Sequence, residues 1–408
     1  MAPLLTLCCI VPEHILHGIV QKGKAPQHII NACRSTIDKT TKIQDARVQQ
    51  GQSIASARQQ HVTQGIVPPF IHNAIARHAV TAEQHEVSTR TLEHDAKLRT
   101  AASRLPHLQR TIYDAHHSWS FDHPPRDKVM INEGGAVVSE ELDPSKDANE
   151  CYAGFKKTYD FYFDHFGRDS VDGRGLALDG FVHFGVGYRN AFWDGKRMVF
   201  GEGDGVIFNG FTDELDVIAH ELTHGVVQHT SPLKYRFQSG ALNEPLADVF
   251  GVMVKQCAED PQHPQDVQQA NWLIGEGIWA KGINGKALRD MKNPGTAYDD
   301  PIVGKDPQPA HWDDFKKLEF SEDRGGVHIN SGIPNHAFYL AATMIGGFAW
   351  EGVGPIWYRA LKSGQLGEDA TFKEFAELTI EHAGEHVDKV REAWRQVGYP
   401  FGETKAEL

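Results

Sequence analysis

Residues 216–229 read Asp-Val-Ile-Ala-His-Glu-Leu-Thr-His-Gly-Val-Val-Gln-His. His220 and His224 are four residues apart, so on a helix they project from one face and can bind one metal ion. Glu221 follows the first histidine, so its carboxylate can lie beside the ion and take a proton from a bound water. Apolar neighbours such as Val217 indicate a buried helix, in which histidines need partners. The stretch predicts a zinc centre; a surface helix with two histidines is the alternative for these five residues alone.

A second segment supplies a third ligand. Glu244 comes 20 residues after His224, which leaves room for a turn and a returning helix. Asp248 lies one helical turn further on the same face, where it can accept a hydrogen bond from a metal-binding imidazole. The surrounding residues are apolar, which favours a buried position for both carboxylates, and buried carboxylates need partners. An ordinary solvated helix face is the alternative.

The composition argues against two classes of protein. The chain has 408 residues, which suggests two or three domains, and its formal net charge of -13 argues against general nucleic-acid binding. The sequence has no apolar run of about 18 residues, so we expect no transmembrane helix. The five cysteines are irregularly spaced and imply no disulfide framework.

The charge is unevenly distributed along the chain. Residues 1–105 contain 12 Lys+Arg and 7 Asp+Glu, whereas the remaining residues contain 29 Lys+Arg and 47 Asp+Glu. We therefore expect the basic N-terminal segment to dock on the acidic body within the same chain; two segments without contact are the alternative. Pro12 and Glu13 end the first apolar run, and no basic region precedes it. We predict no conventional signal peptide, and a protein that is cytoplasmic or non-classically secreted.

Local patterns divide the chain into three parts. Pro12 and Gly23 bound a short predicted helix, residues 34–66 favour a loosely ordered linker, and residues 70–102 favour a helix. Strand-like runs then dominate up to the histidine helix, and helical patterns follow it. We predict an α+β protein with three parts and a site in the cleft between the last two. The parts are a prosegment (1–105), a β-rich lobe that includes the zinc helix (106–232) and a helical lobe (233–408).

From about Arg110 onwards, these motifs resemble those of the thermolysin family of zinc endopeptidases. The histidine motif is followed by Asn243-Glu244-Pro-Leu-Ala-Asp248, and other matches stand in the family's order: Asn190-Ala191-Phe192-Trp193, Gly203-Asp204-Gly205 and Gly325-Gly326-Val327-His328-Ile329-Asn330-Ser331-Gly332. Several separated matches in one order are more specific than any single motif. The resemblance implies a two-lobed peptidase with the zinc helix between the lobes.

The resemblance also implies a role for each matching position. Three residues would bind zinc: His220, His224 and Glu244. Glu221 would be the general base, and Asp248 would orient a zinc-binding histidine. His328 and Tyr235 would donate hydrogen bonds to the oxyanion. Asp323 would orient His328. Three would hold the substrate backbone: Asn190, Ala191 and Arg289. Three would line an apolar pocket for the residue after the scissile bond: Phe208, Val217 and Leu288.

One departure from the family concerns calcium. The resemblance implies a paired calcium site that includes Asp216 and Glu276, but Lys255 stands where a helix carboxylate is expected. Calcium requires several oxygen ligands. We therefore expect the Lys255 ammonium group to lie near Asp216 and Glu276 in place of the ion.

Two segments are most similar to the protealysin-like group of the family: the N-terminal motif Cys9-Ile-Val-Pro-Glu-His-Ile-Leu and the sequence Asn271-Trp-Leu-Ile-Gly-Glu276. In this group a short propeptide is removed on activation.

The resemblance implies a zymogen of a zinc endopeptidase that cleaves peptide bonds on the amino side of bulky apolar residues. A zinc aminopeptidase is one alternative, but it needs an acidic anchor for the free amine, and no motif of that type is present. A catalytically silent binding or adhesive protein with a structural zinc is another. The presence of Glu221 and His328 argues against this second alternative, because a structural zinc site needs neither.

Overall fold

The computed structural model describes residues 8–57, 107–119, 129–135 and 144–400. The helix predicted over residues 70–102 lies outside these ranges. Among the described residues, no helix is both long enough and apolar enough to cross a membrane.

Within these ranges, a mixed sheet of six strands forms the β-rich lobe. The strands are β1 (Cys8–Cys9), β2 (Arg110–Asp114), β3 (Val129–Asn132), β4 (Leu178–Val182), β5 (Ala191–Trp193) and β6 (Met198–Phe200). Their order across the sheet is β1-β5-β6-β4-β2-β3. Strand β4 is parallel to β2 and β6, and the other neighbours are antiparallel. Strand β1 comes from the N-terminal segment and pairs with β5, with Cys9 opposite Phe192.

Helices dominate the rest of the described chain, which confirms the predicted α+β fold. They are α1 (Glu13–Lys22), α2 (Gln27–Ala57), α3 (Pro144–Phe166), α4 (Leu215–Thr230), α5 (Phe237–Ala258), α6 (Asp323–Asn330), α7 (Gly332–Ile345), α8 (Gly354–Lys362), α9 (Phe372–Glu381) and α10 (Val387–Gln396). The segment between α5 and α6 contains only short strands and one 3-10 turn: β7 (Leu273–Ile274), β8 (Arg289–Asp290), β9 (Asp299–Asp300), β10 (Gly304–Lys305) and Trp312–Asp314.

Helix α4 contains the histidine pair and packs tightly against its neighbours. A Cβ atom added at Gly154 in α3 would lie 2.5 Å from Cδ1 of Ile218, and one added at Gly251 in α5 would lie 2.9 Å from the carbonyl oxygen of Asp216. Glycine is therefore needed where these helices approach α4. Every residue from Leu215 to Val227 is buried, so the histidines project into packed surroundings.

The N-terminal segment begins as the sequence predicts. Helix α1 starts after Pro12 and ends at Gly23, whose φ of 60° is left-handed and whose N–H bonds to the carbonyl of Ile19. Glycine adopts this conformation without the steric cost that other residues bear. The buried residues of α1 are Ile15, Leu16 and Ile19.

The linker expected over residues 34–66 is wrong as far as residue 57, because α2 continues through it. The polar composition hides an apolar face that includes Ile29 and Cys33, both buried. Two threonines of α2 also contact the β-rich lobe: the N–H of Arg189 donates to Thr36 Oγ1 at 3.1 Å, and Thr40 Oγ1 lies 3.0 Å from the hydroxyl of Tyr188. Tertiary contacts therefore stabilise a helix whose local composition does not favour one.

Candidate metal centre and substrate cleft

Three buried side chains converge between α4 and α5. The potential ligand atoms of His220, His224 and Glu244 all lie within 4.8 Å of one another. The two Nε2 atoms are 3.0 Å apart and lie 3.6 Å and 3.5 Å from the Glu244 carboxylate oxygens. The four-residue spacing on α4 and the return of the chain as α5 bring these atoms together.

The hydrogen bonds of the two histidines indicate that this centre fits a cation. His220 Nδ1 lies 2.8 Å from Asp248 Oδ1, and His224 Nδ1 lies 2.8 Å from Asn243 Oδ1. Because both partners are acceptors, each ring carries its proton on Nδ1, and the two Nε2 lone pairs face each other. Burial lowers the pKa of His224 to about 3, so its ring is neutral, as a metal ligand must be. Glu244 Oε2 is buried and has no hydrogen-bond partner within the described part of the chain. The donor set and its buried orphan oxygen suit zinc.

Asp248 joins this centre to Arg289, because its carboxylate contacts both His220 and Arg289. Its carboxylate oxygens accept two hydrogen bonds from Arg289, both 2.8 Å long, and one from Asn335 Nδ2 at 2.8 Å. Burial would raise the pKa of Asp248, but the Arg289 charge and the His220 hydrogen bond outweigh it and lower the pKa. The ionised carboxylate therefore fixes the proton of His220 on Nδ1.

Glu221 projects from α4 towards strand β5, which neighbours the edge strand β1. Its Oε2 accepts a hydrogen bond of 2.9 Å from the N–H of Trp193, while Oε1 is buried without a partner among the described residues. Burial, followed by the charge of Glu244, raises the pKa of Glu221 well above its usual value. A carboxylate in these surroundings is suited to accept a proton.

His328 lies opposite Glu221 and is held by Asp323. Asp323 accepts from His328 Nδ1 at 2.6 Å and from the backbone N–H of His328 at 2.9 Å. The left-handed residues Arg324, Gly325 and Gly326 turn the chain so that the carboxylate can make both contacts. Burial would lower the pKa of His328, but Glu244 and Asp323 outweigh it and raise the pKa to about 9. His328 is therefore a hydrogen-bond donor at Nε2.

Tyr235 joins His328 to the metal centre. Its hydroxyl lies 3.0 Å from His328 Nε2 and donates a short hydrogen bond to Glu244 Oε1. The structure therefore brings together Tyr235 and His328, the two residues that were predicted to donate hydrogen bonds to one oxyanion.

The N-terminal segment runs through the cleft that these residues border. His328 Nε2 donates to the carbonyl oxygen of Cys9 at 3.0 Å, and the N–H of Ile10 donates to the carbonyl oxygen of Ala191 at 3.2 Å. Arg289 Nη1 donates to the Ile10 carbonyl oxygen at 3.2 Å. The Asn190 side chain accepts from the N–H of Val11 at 2.9 Å and donates to its carbonyl oxygen at 3.0 Å. The groups predicted to hold a substrate backbone thus all contact the prosegment.

The predicted apolar pocket residues are also buried. Phe208, Val217 and Leu288 are each at most 1% exposed and belong to the main hydrophobic core. Ile10 is 0% exposed and belongs to the same core, so the prosegment contributes an apolar side chain to it.

Lys255 lies beside two carboxylates, one of which differs from the prediction. Its Nζ atom lies 3.6 Å from Asp216 Oδ2 and 3.0 Å from Glu214 Oε2. Glu276 instead accepts a hydrogen bond from the side chain of Asn271. Glu276 was expected from its place in the loop motif, whereas Glu214 lies just before α4 and reaches the same ammonium group from there.

Sequence reasoning missed three partners of the site. Asn243 orients His224, Asn335 supports Asp248, and the backbone N–H of Trp193 binds Glu221. Asn243 could have been found, because it directly precedes the ligand Glu244 and a ligating histidine needs an acceptor. Asn335 is 87 residues from Asp248, so no local pattern indicates that contact.

Comparisons with known proteins agree with this geometry. The family description "Thermolysin metallopeptidase, catalytic domain" matches residues 77–228, and "Thermolysin metallopeptidase, alpha-helical domain" matches residues 231–399. Protease PrtS of Photorhabdus sp. (strain Az29) is 43% identical over 349 residues, which are 82% of this chain and 91% of the relative. An extracellular metalloprotease of Pectobacterium carotovorum subsp. carotovorum is 44% identical over 341 residues, 82% of this chain and 95% of the relative.

A solved structure is similar over the same extent. The precursor of protealysin, a metalloproteinase from Serratia proteamaculans, is 46% identical with a TM-score of 0.67, and the match covers 82% of this chain and 98% of that one. The similarity therefore includes a precursor form and is not limited to the two catalytic lobes.

The relatives correct one prediction and confirm another. The predicted location, cytoplasmic or non-classically secreted, is contradicted by a 44% identical relative that is named an extracellular metalloprotease. The location was predicted from the apolar run Met1 to Pro12, which lacks a basic region; within that run, Cys9 to Val11 bind the cleft. The predicted family is confirmed: this chain belongs to the thermolysin family of zinc metallopeptidases and is an enzyme similar to protealysin and its relatives.

Proposed function

We propose that this chain is the zymogen of a zinc endopeptidase that cleaves on the amino side of bulky apolar residues. The observation that carries the proposal is the path of the N-terminal segment through the cleft. The segment enters before Cys9, is held at three consecutive residues, and continues beyond Val11 into α1. A cleft that holds a continuous chain on both sides of one peptide bond suits an endopeptidase. An aminopeptidase needs an anchor for a free amine instead.

The residues of the chain divide the reaction between them. When bound by His220, His224 and Glu244, zinc supplies a Lewis acid that polarises a carbonyl and lowers the pKa of water. Glu221 takes a proton from the attacking water and passes it to the leaving nitrogen. His328 and Tyr235 donate hydrogen bonds to the carbonyl oxygen as its negative charge builds, which makes them transition-state donors.

The remaining residues hold the substrate chain. Arg289, Asn190 and the Ala191 carbonyl bind its backbone after the scissile bond, as they bind Ile10 and Val11 of the prosegment. These contacts involve only the backbone of the substrate, so they can form with many substrate sequences. Selectivity among substrates therefore depends on the apolar pocket. A pocket of this kind distinguishes side chains by about 1–3 kcal/mol per methylene group.

The residues that line this pocket are Phe208, Val217 and Leu288, and Ile10 of the prosegment shares their core. Because Ile10 directly follows the peptide bond whose carbonyl faces His328, its side chain stands where a substrate side chain would stand. This supports cleavage on the amino side of bulky apolar residues.

The prosegment of residues 1–105 acts as an intramolecular inhibitor in this proposal. Its described part occupies the backbone-binding groups of the cleft, and α1 buries apolar residues behind it. Activation therefore requires removal of the segment. The proposal includes no calcium ion at Asp216, because the Lys255 ammonium group lies 3.6 Å from this carboxylate and 3.0 Å from that of Glu214.

A blocked, internally quenched peptide with one central leucine tests the proposal. The zinc-loaded chain is assayed before and after limited proteolysis of the prosegment, and mass spectrometry identifies the bond that is cut. We expect cleavage before leucine, strong activation by proteolysis, and loss of activity in Glu221→Ala with zinc content unchanged. Glu319→Gln, at an exposed glutamate, is the matched control. Release of unblocked amino-terminal residues with no cut in the blocked peptide would favour the aminopeptidase.

A further inference from the structure

We propose that the Cys9–Ile10 peptide bond is itself a substrate of this site, and that the prosegment from Ile10 onwards remains bound after its hydrolysis. The inference rests on the proposed function and names a processing site that precedes activation. Cleavage here would remove the residues before Ile10 without opening the cleft.

The carbonyl side of this bond faces the proposed transition-state donors. The Cys9 oxygen accepts a hydrogen bond of 3.0 Å from His328 Nε2, and the Tyr235 hydroxyl lies 3.0 Å from the same nitrogen. Cys9 is paired with Phe192 in the sheet, so its backbone is extended and fixed in register. A carbonyl in this position is ready for attack, provided that the nitrogen of the same bond is also held.

The nitrogen side of the bond faces the proposed proton carrier. The N–H of Ile10 donates to the Ala191 carbonyl at 3.2 Å, and it also faces the Glu221 carboxylate. The carboxylate that would protonate a leaving amine is thus beside the nitrogen of this bond. No other peptide bond of the described prosegment has its oxygen bonded to His328 and its nitrogen beside Glu221.

The residues after the bond fix the direction of the chain. Arg289 binds the Ile10 carbonyl, and the Asn190 side chain binds both backbone groups of Val11. Slippage by one residue would break all of these contacts together. The Ile10 side chain is fully buried in the core that contains the pocket residues. The prosegment is therefore held in the direction and register of a substrate.

Hydrolysis of this bond is balanced by one water molecule. The Cys9 carbon to Ile10 nitrogen bond breaks, and a bond forms between the Cys9 carbonyl carbon and the oxygen of water. One proton of that water passes through Glu221 to the Ile10 nitrogen. The second proton of the water passes to the same nitrogen, so the products are a carboxylate on Cys9 and an ammonium group on Ile10, with no oxidation or reduction.

The two products differ greatly in how they are held. Of the described residues before the cut, Cys8 and Cys9 pair with β5 through the two-residue strand β1, and the Cys9 side chain is buried beside Phe192. The portion after the cut keeps α1, which buries Ile15, Leu16 and Ile19, and α2, which bonds to Arg189 and Tyr188. The short peptide should therefore leave and the long portion should stay, so that the clipped chain remains inhibited.

Intact mass and N-terminal sequence of the full-length, zinc-loaded chain test the inference over time. We expect a species that begins Ile10-Val11-Pro12 and whose activity on the quenched peptide remains as low as that of the uncut chain. Glu221→Ala should keep its original terminus. Ile10→Gly should be clipped about tenfold more slowly or worse, because it loses the apolar side chain, whereas the control Lys24→Ala, at an exposed lysine of the prosegment, should be clipped at the wild-type rate.

Three results would overturn the inference, and they are distinguishable. If the proteolysed enzyme cleaves the quenched peptide but the full-length chain is never cut at Cys9–Ile10, the inference fails and the proposed function stands. If neither the peptide nor the Cys9–Ile10 bond is cut, both fail. Clipping in Glu221→Ala at the wild-type rate would also overturn it, because another protease would then be responsible.

Discussion

The ammonium nitrogen of Lys255 lies 3.6 Å from Oδ2 of Asp216, at the first turn of the helix that holds the metal centre. Glu214 lies 3.0 Å from the same nitrogen. Burial would lower the pKa of Lys255, but the two carboxylates outweigh it and raise the pKa, so the lysine stays charged. The positive charge that offsets Asp216 and Glu214 at this end of α4 is therefore supplied by the side chain of Lys255.

Replacement of Lys255 by methionine should destabilise the fold. The substitution leaves Asp216, which is 0% exposed, and Glu214 without their counter-charge. Breaking a buried pair in this way typically costs about 3–5 kcal/mol. We expect a loss of this size in the free energy of unfolding by urea denaturation. Lys281→Met, at an exposed lysine, should change it little.

Calcium should have no effect on the unmodified protein. Addition of calcium or of EGTA should leave its melting temperature unchanged, because an ammonium group lies between the carboxylates. Lys255→Glu places a third carboxylate there, and its melting temperature should rise when calcium is added. A clear drop in the melting temperature of the unmodified protein in EGTA would contradict this account.

His328→Ala should slow catalysis without loss of metal. Removal of one oxyanion donor typically costs about 3 kcal/mol, so kcat/KM should fall by roughly a hundredfold. Zinc content should not change, because the zinc ligands are His220, His224 and Glu244 in our proposal. The measurement is steady-state kinetics of the proteolysed enzyme alongside metal analysis, with His311→Ala as a control. An unchanged kcat/KM would remove His328 from the mechanism.

Much of this site is encoded over short distances in sequence, and that part could be predicted. The spacing of His220 and His224 follows from the helical repeat, and Glu244 and Asp248 are one turn apart on α5. The position of Asp323, five residues before His328, likewise brings the two side chains together.

The remainder depends on contacts between distant parts of the chain. Arg289 was predicted to bind a substrate carbonyl, but its two bonds to Asp248 arise only when the loop after α5 folds back. Helix α2 was not predicted because few apolar residues form its buried face, and its stability comes from contacts with the β-rich lobe. Lys255 was expected beside Glu276 and lies beside Glu214, since the sequence does not show where a loop side chain will point.

Acid should weaken the docking of the prosegment through His14. Its Nε2 lies 3.0 Å from the Tyr298 hydroxyl, and its Nδ1 is buried and has no hydrogen-bond partner among the residues that the structure describes. Burial lowers the pKa of His14 to about 4; Asp323 opposes this effect, while the positive charges of His328 and Arg289 reinforce it. The docked form therefore binds a proton less readily than the free segment, in which histidine titrates near its ordinary value of about 6.5.

The sign of the effect follows from that difference. Docking is strongest above about pH 6.5, weakens as the pH falls through the range from 6.5 to 4, and loses on the order of a hundredfold in affinity. Hydrogen exchange of α1 in the Glu221→Ala protein, corrected for intrinsic rates, measures this loss without cleavage. His14→Gln, which does not titrate, should show much less pH dependence. Equal pH dependence in both proteins would contradict the assignment.

In our proposal Arg289 has two roles: it supports the metal centre through Asp248, and it binds a carbonyl of the substrate. Two substitutions should separate these roles. Arg289→Lys keeps a positive charge near Asp248 but loses the second hydrogen bond and the donor to the Ile10 carbonyl. We expect the KM of peptide substrates to rise about tenfold with zinc affinity little changed, since loss of one substrate hydrogen bond is worth about 1.5 kcal/mol. Arg359→Lys, at an exposed arginine, is the control.

Arg289→Met should have a wider effect, because Asp248 then loses its counter-charge at 0% exposure. The pKa of Asp248 should rise, its hold on His220 should weaken, and zinc affinity should fall by about 10–100-fold. Competition with a chelator measures the metal affinity, and kinetics at saturating zinc measure the KM. If Arg289→Lys weakened zinc binding as much as Arg289→Met, the charge alone would not support the centre, and the paired hydrogen bonds to Asp248 would be the feature that orients His220.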